Sequence, residues 1–493
     1  MRGAVSRWVL LPALLLVGCA APPVPGRYVT VGAGGFRLNG APFFPLAVNY
    51  IVQLQCVDGA CWPAPCRNYE RGDTFRFREQ DSALLQIRAE FRLMREMGFN
   101  TVRLVGLASD LQPMSSEQGV FLNAQYDRGR DSLHRVDGRD QETYLGALDQ
   151  VVRLAGEEGL KLIVLLKFRA EQPAWDNWFR VLARRYRNEP AVMGYDLFNE
   201  PLYFDVHDRP KEQVRTLVMG WRKMMREEAP DQLVTIGLVG VPEVFAWDPA
   251  VLDVDFISFH PYEHEPGQVS NEIHWYGRYV DKPWIIGETG VPADNDSIPW
   301  SDQLDFARAT LARTLACGGA GYSWWQFKDV GWGTFHADHL GVMSREGATF
   351  AGKGLPLVPG TMKPVVQAFQ GFNPNARPRP CGQMPNYYNY SSADSVRLAG
   401  RLLDEEARPI EGGVVVAWNA DWTRSHYTFT RTDGSFTLYG AFPFHHWMAS
   451  ATRYSMIRGD VQPSAYYTDG SGTPTFRLGD LYLEHLSFAD PGS

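Results

Sequence analysis

Two glutamates stand out in this 493-residue sequence, because each closes a short run of apolar residues. Glu200 ends Gly194-Tyr195-Asp196-Leu197-Phe198-Asn199-Glu200-Pro201, and Glu288 ends Trp284-Ile285-Ile286-Gly287-Glu288. Near-continuous apolar runs of that length are expected of parallel strands buried on both faces. Side chains at the C-terminal ends of such strands point into the mouth of a closed barrel, so strands four and seven would present these carboxyls across one opening. Paired carboxyls suit cleavage of an acetal: one protonates the leaving oxygen while the other attacks the anomeric carbon or activates water. A gap of roughly 5 Å implies retention of configuration through a covalent intermediate, and a wider gap implies inversion. Either glutamate alone would more often be a cap or an ion-pair partner; their joint placement gives the catalytic reading its force.

The elements that must position them repeat along the chain. Apolar runs end near Asn49, Val105, Phe168, Asn199, Gly240, His260, Glu288 and Phe327, which makes eight strands. Amphipathic helical segments lie between them, among them residues 82–97, 141–158, 174–186, 211–228 and 302–316. The alternation predicts an α/β fold, a (β/α)8 TIM barrel over residues 28–372, preceded by a hairpin with Gly34-Gly35 and Asn39-Gly40 turns. Residues 51–77 and 108–140 would be long loops on the catalytic face. Residues 373–394, rich in Pro, Asn and Tyr, read as a linker or strap, and residues 395–488 as a second, smaller β-sandwich.

Asn199-Glu200-Pro201 followed by Gly287-Glu288 resembles the clan A glycoside hydrolases, most of all family 5, the cellulase and mannanase family. The resemblance extends to Phe36-Arg37-Leu38-Asn39-Gly40-x-Pro42-Phe43-Phe44, Gly98-Phe99-Asn100-Thr101-Val102-Arg103-Leu104, Ser258-Phe259-His260-Pro261-Tyr262 and Trp324-Trp325, in the correct order. It implies that Glu200 is the acid/base and Glu288 the nucleophile. It implies that Asn199 bonds the sugar 2-hydroxyl and that Arg103 pairs with Glu288, lowering its pKa. His260 and Tyr262 would line the pocket, Tyr262 orienting Glu288. Trp324 or Trp325, with Trp324 favoured, would floor the site. The implied activity is that of a retaining endo-β-1,4-glucanase or endo-β-1,4-mannanase, needing no cofactor or metal. An exo-acting β-glycosidase or a transglycosidase on the same scaffold, or a non-catalytic glycan-binding protein, are the alternatives. Many family members carry a histidine at the end of the third strand, whereas Leu165-Leu166-Lys167-Phe168-Arg169 has none, which leaves the sugar open. Lys167 and Arg169 read as solvated loop charges. Trp62, Trp175, Trp275 and Trp332 fall where glycan stacking is possible, and Trp178 reads as core. Neither His336 with His339 nor His445 with His446 has a recognisable third metal ligand.

Composition narrows the partners. The chain has 48 Lys plus Arg against 56 Asp plus Glu, a net charge of -8, and no basic stripe, which argues against nucleic acid. Its 15 Trp, 21 Tyr and 27 Phe exceed what a core usually requires, and aromatic faces are what sugar rings stack on. The expected partner is a β-linked oligo- or polysaccharide. Arg2, Arg7 and the apolar run over residues 8–17 read as a secretion signal, and Leu16-Val17-Gly18-Cys19 resembles the bacterial lipobox. That implies a signal peptide over residues 1–18, a lipid on Cys19, a tether over residues 19–27, and membrane attachment at the outer membrane or cell surface. Five cysteines remain, Cys56, Cys61, Cys66, Cys317 and Cys381; the first three lie close enough for one local bridge, and the pairing stays open. Ala399-Gly400-Arg401 through Pro409-Ile410-Glu411-Gly412 to Thr432-Asp433-Gly434-Ser435-Phe436 resembles carboxypeptidase-regulatory or transthyretin-like domains. The resemblance implies an accessory module without chemistry of its own.

Overall fold

The computed structural model describes residues 27–488 except 33, 59, 69–72, 110–119, 122–134, 137, 167–172, 206, 377–379, 392, 463–464, 469 and 471. Eight parallel strands form its centre: β1 (Leu46–Val57), β2 (Thr101–Ser109), β3 (Lys161–Leu165), β4 (Val192–Asn199), β5 (Leu233–Leu238), β6 (Ile257–Phe259), β7 (Trp284–Ile286) and β8 (Gly321–Trp324). Each pairs with its sequence neighbour, and β8 pairs with β1 through Tyr322 opposite Leu46 and Trp324 opposite Val48, so the sheet closes on itself. Helices α1 (Gln80–Glu96), α2 (Gly138–Glu157), α3 (Pro173–Tyr186), α4 (Pro201–Phe204), α5 (Lys211–Glu228), α6 (Gln268–Tyr279) and α7 (Trp300–Ala316) connect the strands. The barrel predicted from the apolar runs is the observed fold.

Local chemistry sets the strand entries. Two residues beyond α1 stands Gly98, whose φ of 97° suits glycine and whose α-carbon lies against the Phe369 carbonyl, where a Cβ would stand only 2.7 Å from the oxygen. Two residues later the Asn100 side chain accepts from Leu46 N at 3.0 Å and donates to Phe44 O at 2.9 Å, fixing β2 beside β1. The N-terminal hairpin, Val29–Gly32 against Gly35–Leu38, seals the far end of the barrel: Val29 and Phe36 pack with Ile163, Met193, Leu233, Phe256, Ile285 and Ala320.

Most of the described part of the segment expected as a long loop over residues 51–77 is sheet instead. β1 runs on to Val57 and turns back into Ala60–Asn68 as an antiparallel ribbon. Tyr50-Ile51-Val52-Gln53-Leu54-Gln55 keeps the chain extended, and an antiparallel partner satisfies its backbone donors and acceptors once it leaves the barrel. Cys56 and Cys61 stand opposite each other in this register, and Cys61 is disulfide-bonded. Most of the second expected loop, residues 108–140, lies outside the described residues.

Downstream, two four-stranded sheets form the C-terminal sandwich. One comprises β9 (Val396–Asp404), β12 (Ser435–Gly440), β15 (Pro474–Leu483) and the short strand Tyr467–Thr468; the other comprises β10 (Val414–Trp418), β11 (Ser425–Phe429), β13 (His446–Ser450) and β14 (Ile457–Asp460). Along β10 the side chains alternate: Val415 and Ala417 enter the sandwich core, while Val414 and Val416 join the core that surrounds the barrel. Residues 373–394 act as a strap. A disulfide from Cys381 to Cys317 ties it to the end of α7, and Tyr387 and Tyr390 are buried, with the Tyr387 ring 4.6 Å from that of Phe429.

Candidate active site

At the C-terminal ends of the strands the buried guanidinium of Arg103, on β2, organises the mouth. Its Nε and Nη2 donate to Asp196 Oδ2 at 2.9 and 2.8 Å, Nη2 to Asn199 Oδ1 at 2.8 Å, and Nη1 to Asn49 Oδ1 at 2.9 Å and to Glu288 Oε1. One planar cation thus sets side chains from β1, β4 and the end of β7. Asp196 and Asn49 were not assigned roles from sequence. The signal was present for Asp196, because a carboxylate inside an otherwise apolar strand needs a buried partner.

Glu200 follows β4 in the left-handed region, with φ 49° and ψ 64°, and Pro201 starts α4 directly after it. A non-glycine residue there is costly and persists only where its surroundings hold it. Here Glu200 N donates to Gly237 O at 2.7 Å, and buried Glu243 Oε1 accepts from Leu202 N at 2.9 Å and Val239 N at 3.2 Å, tying the turn to the loop after β5. Glu243 also went unassigned from sequence; nothing in its surrounding residues marked it.

His260 joins the two acids. Its Nδ1 lies 3.0 Å from Glu200 Oε1 and 3.6 Å from Glu288 Oε1, and one ligand-capable atom from each of the three residues falls within 4.8 Å of the others. The imidazole fits because a glycine in β5 and another just after β7 lie beside it: a Cβ on Gly237 or Gly287 would stand 2.7 or 2.8 Å from Nε2. Tyr262 donates its hydroxyl to Glu288 Oε2 at 3.0 Å. Glu200 and Glu288 keep 16% and 7% of their side-chain surface accessible, so both reach the opening.

Burial dominates the electrostatics. It pushes Glu200 up to about 7, opposed by Arg103 and reinforced by the Asp196 charge. Burial lowers His260 to about 4, leaving a neutral imidazole at neutral pH. Glu288 was expected below the ordinary carboxyl range through Arg103. The ion pair is present, but burial raises Glu288 instead, against His260, Arg103 and the Tyr262 hydroxyl. Removal from water outweighs the guanidinium, and the nearby Glu200 charge adds to the rise. Glu288 is bonded to a guanidinium and a phenol, whereas Glu200 lies beside the neutral His260 and feels the charge of Arg103. These partners favour the charged form of Glu288 more than that of Glu200.

The favoured tryptophan was the wrong one of the adjacent pair. Trp324 is 0% exposed, donates Nε1 to Leu340 O at 2.9 Å and packs on Phe306 and Phe369 outside the barrel, so neither ring face meets the mouth. Trp325 faces the other way, among Ile51, Val105, Leu165 and Leu340, with Tyr262 and Trp332 against the same cluster. Of the other tryptophans considered for stacking, Trp62 and Trp275 are buried, and the side chains of Trp175 and Trp178 lie outside the described residues. Lys167, Arg169 and Cys19 lie outside them too.

Solved structures that match this chain include an endo-1,4-beta-mannanase from Rhizomucor miehei, at 16% identity over 61% of this chain and 90% of that one, with a TM-score of 0.43. A glycoside hydrolase family 5 mannosidase from the same organism matches at 14% identity over 70% and 96%, TM-score 0.46. Bacteroides uniformis beta-glucuronidase 2 matches at 12% identity over 90% of this chain and 47% of that one, TM-score 0.45. The family model for cellulase, glycosyl hydrolase family 5, matches residues 72–330, which takes in both glutamates, Arg103, His260 and Trp325. With the closed barrel and more than half of the sequence matched, the chain belongs to glycosyl hydrolase family 5 and is a glycosidase.

Proposed function

We propose that the protein is a retaining, endo-acting β-glycosidase that cleaves a β-1,4-linked glucan or mannan by double displacement. The observation that carries this reading is the close pair itself: oxygens of Glu200 and Glu288 within 4.8 Å, one carboxyl paired with a cation and the other beside a neutral imidazole. Glu288 attacks the anomeric carbon and the bond to the leaving oxygen breaks as Glu200 gives that oxygen its proton. Water then attacks the glycosyl ester, Glu200 takes the water's proton, and the Glu288 carboxylate departs. Asn199 bonds the 2-hydroxyl of the sugar at the cleavage point, and Trp325 floors the site. No step needs a cofactor.

Glu200→Gln and Glu288→Gln should fold normally and lose turnover by several orders of magnitude. Azide should rescue Glu288→Ala, giving a glycosyl azide of inverted configuration. Near-native turnover in either glutamine variant overturns the assignment. The reading extends to an exported lipoprotein anchored at Cys19, for which Cys19→Ser should abolish incorporation of labelled fatty acid.

A further inference from the structure

The C-terminal sandwich lies along the side of the barrel in a fixed direction. α6 starts at Gln268, directly after the mouth loop that carries His260 and Tyr262, and ends at Tyr279 near the opposite face. Gly412, just ahead of β10, accepts from Trp275 Nε1 at 2.8 Å, and the Tyr279 ring packs where a side chain on Gly412 would stand. At the other end of the ribbon His426, on β11, lies 3.7 Å from Glu265 of the mouth loop. The β10–β11 ribbon therefore runs parallel to α6, and its turn, residues 419–424, emerges on the catalytic face.

That turn presents Trp422, 54% exposed and held at φ 62°. Its ring stacks on His446, with centroids 4.0 Å apart and planes 9° apart, and His446 Nδ1 lies 2.7 Å from Asp460 Oδ1. Asp421 Oδ1 accepts from Thr423 Oγ1 at 2.7 Å, and Asn419 Oδ1 accepts from Arg424 N at 3.1 Å, which locks the backbone. The outcome is an indole held by His446 stacked on it and by the Trp418 ring tilted 45° at 5.2 Å, with more than half of its surface still exposed, an arrangement that loses little conformational freedom when a flat apolar surface settles on it.

Its position relative to Glu200 suggests what that surface is. On the neighbouring strand β14, Arg458 pairs at 3.1 Å with Asp208, in the same β4–α5 connection that begins with Glu200 and carries Tyr203, 62% exposed. A proton donor must sit on the leaving-group side of the bond it cleaves. We propose that Trp422 is a stacking platform for the leaving-group end of a β-linked glycan, so that the C-terminal sandwich lengthens the substrate cleft beyond Tyr203. This inference rests on the assignment of Glu200 as the acid.

The test compares Trp422→Ala with the unaltered full-length chain on β-1,4-linked gluco- and manno-oligosaccharides of increasing length and on a short aryl glycoside. The expected result is a fivefold to tenfold fall in the ratio of kcat/KM on the longest to the shortest substrate, carried mainly by KM, with partial recovery in Trp422→Tyr. That size corresponds to about 1 kcal/mol of stacking. Tyr482→Ala, an exposed aromatic on the sandwich's other sheet, should leave the ratio unchanged. An unchanged ratio in Trp422→Ala, or an equal fall in Tyr482→Ala, overturns the proposal. If the unaltered chain cleaves none of these substrates, the hydrolase reading fails by itself, and affinity electrophoresis in the same glycans decides on Trp422: weaker retardation of Trp422→Ala supports the platform and equal retardation rejects it.

Discussion

Replacing Glu200 with glutamine should remove activity and at the same time stabilise the protein, by an amount that depends on pH. The carboxyl rises from 4.5 to about 7 on folding because burial penalises its charged form. Each pKa unit corresponds to 1.36 kcal/mol, so the folded chain spends about 3 kcal/mol holding this group ionised. The sign follows from proton counting. Between 4.5 and about 7 the folded state binds more protons than the unfolded state, so stability falls as pH rises through that window and stays low above it. Below it the group is neutral in both states and the contribution vanishes. Glutamine keeps the shape and can still hydrogen-bond His260 Nδ1 but cannot ionise. Urea denaturation should give nearly equal stabilities for Glu200→Gln and the unaltered chain at pH 4.5, diverging to about 3 kcal/mol in favour of the variant at pH 8. In the unaltered enzyme the same proton should set the alkaline limb of kcat/KM near 7. A stability difference that does not change with pH, or a variant less stable at pH 8, refutes the account of how burial tunes this acid.

Tyr262→Phe removes the hydrogen bond to the Glu288 carboxylate; kcat should fall by about tenfold to a hundredfold, and the acid limb of the pH profile should move upward as Glu288 loses a donor that favours its charge. Gly287→Ala should cost about 1–3 kcal/mol and most of the activity, because the new methyl meets His260 Nε2 and, closer still, Ser258 Oγ; thermal melting and turnover check the two effects together. Cys317→Ser combined with Cys381→Ser opens a link across 64 residues and should lower stability by about 4 kcal/mol, read as a shift in the urea midpoint under oxidising conditions.

The barrel was legible because both its period and its end-points are written in residue types. Each apolar run is short, and several reach a polar residue that the mouth requires, such as Asn49 within β1, Asn199 at the end of β4 and His260 just after β6. Glu200, Glu288, Arg103, His260 and Tyr262 were legible for the same reason, and the structure gathers all five. What sequence could not decide was orientation. Trp324 and Trp325 differ by one position, and one position in a strand is the difference between the helix-facing and mouth-facing sides. Glu243 was invisible because its role is to accept two backbone hydrogens across a fold, a relation between loops that no spacing records. The direction of the Glu288 shift runs against the expectation because pairing with Arg103 leaves out the burial of the carboxyl, which outweighs the guanidinium.

The way β10 is shared between two cores bears on how such a chain is inherited. Cutting it after the barrel would strip cover from the buried Trp275 and Tyr276 of α6 and leave the Trp275 indole N–H without its acceptor on Gly412, while the Lys211 ammonium would lose its bond to Ala451 O. Grafting the tail onto a different barrel would bare Val414, Val416 and Phe429 in the same way. Catalytic unit and appendage are thus bound to a common fate: recombination can exchange them only as a block, and drift on one side of the seam must be answered on the other.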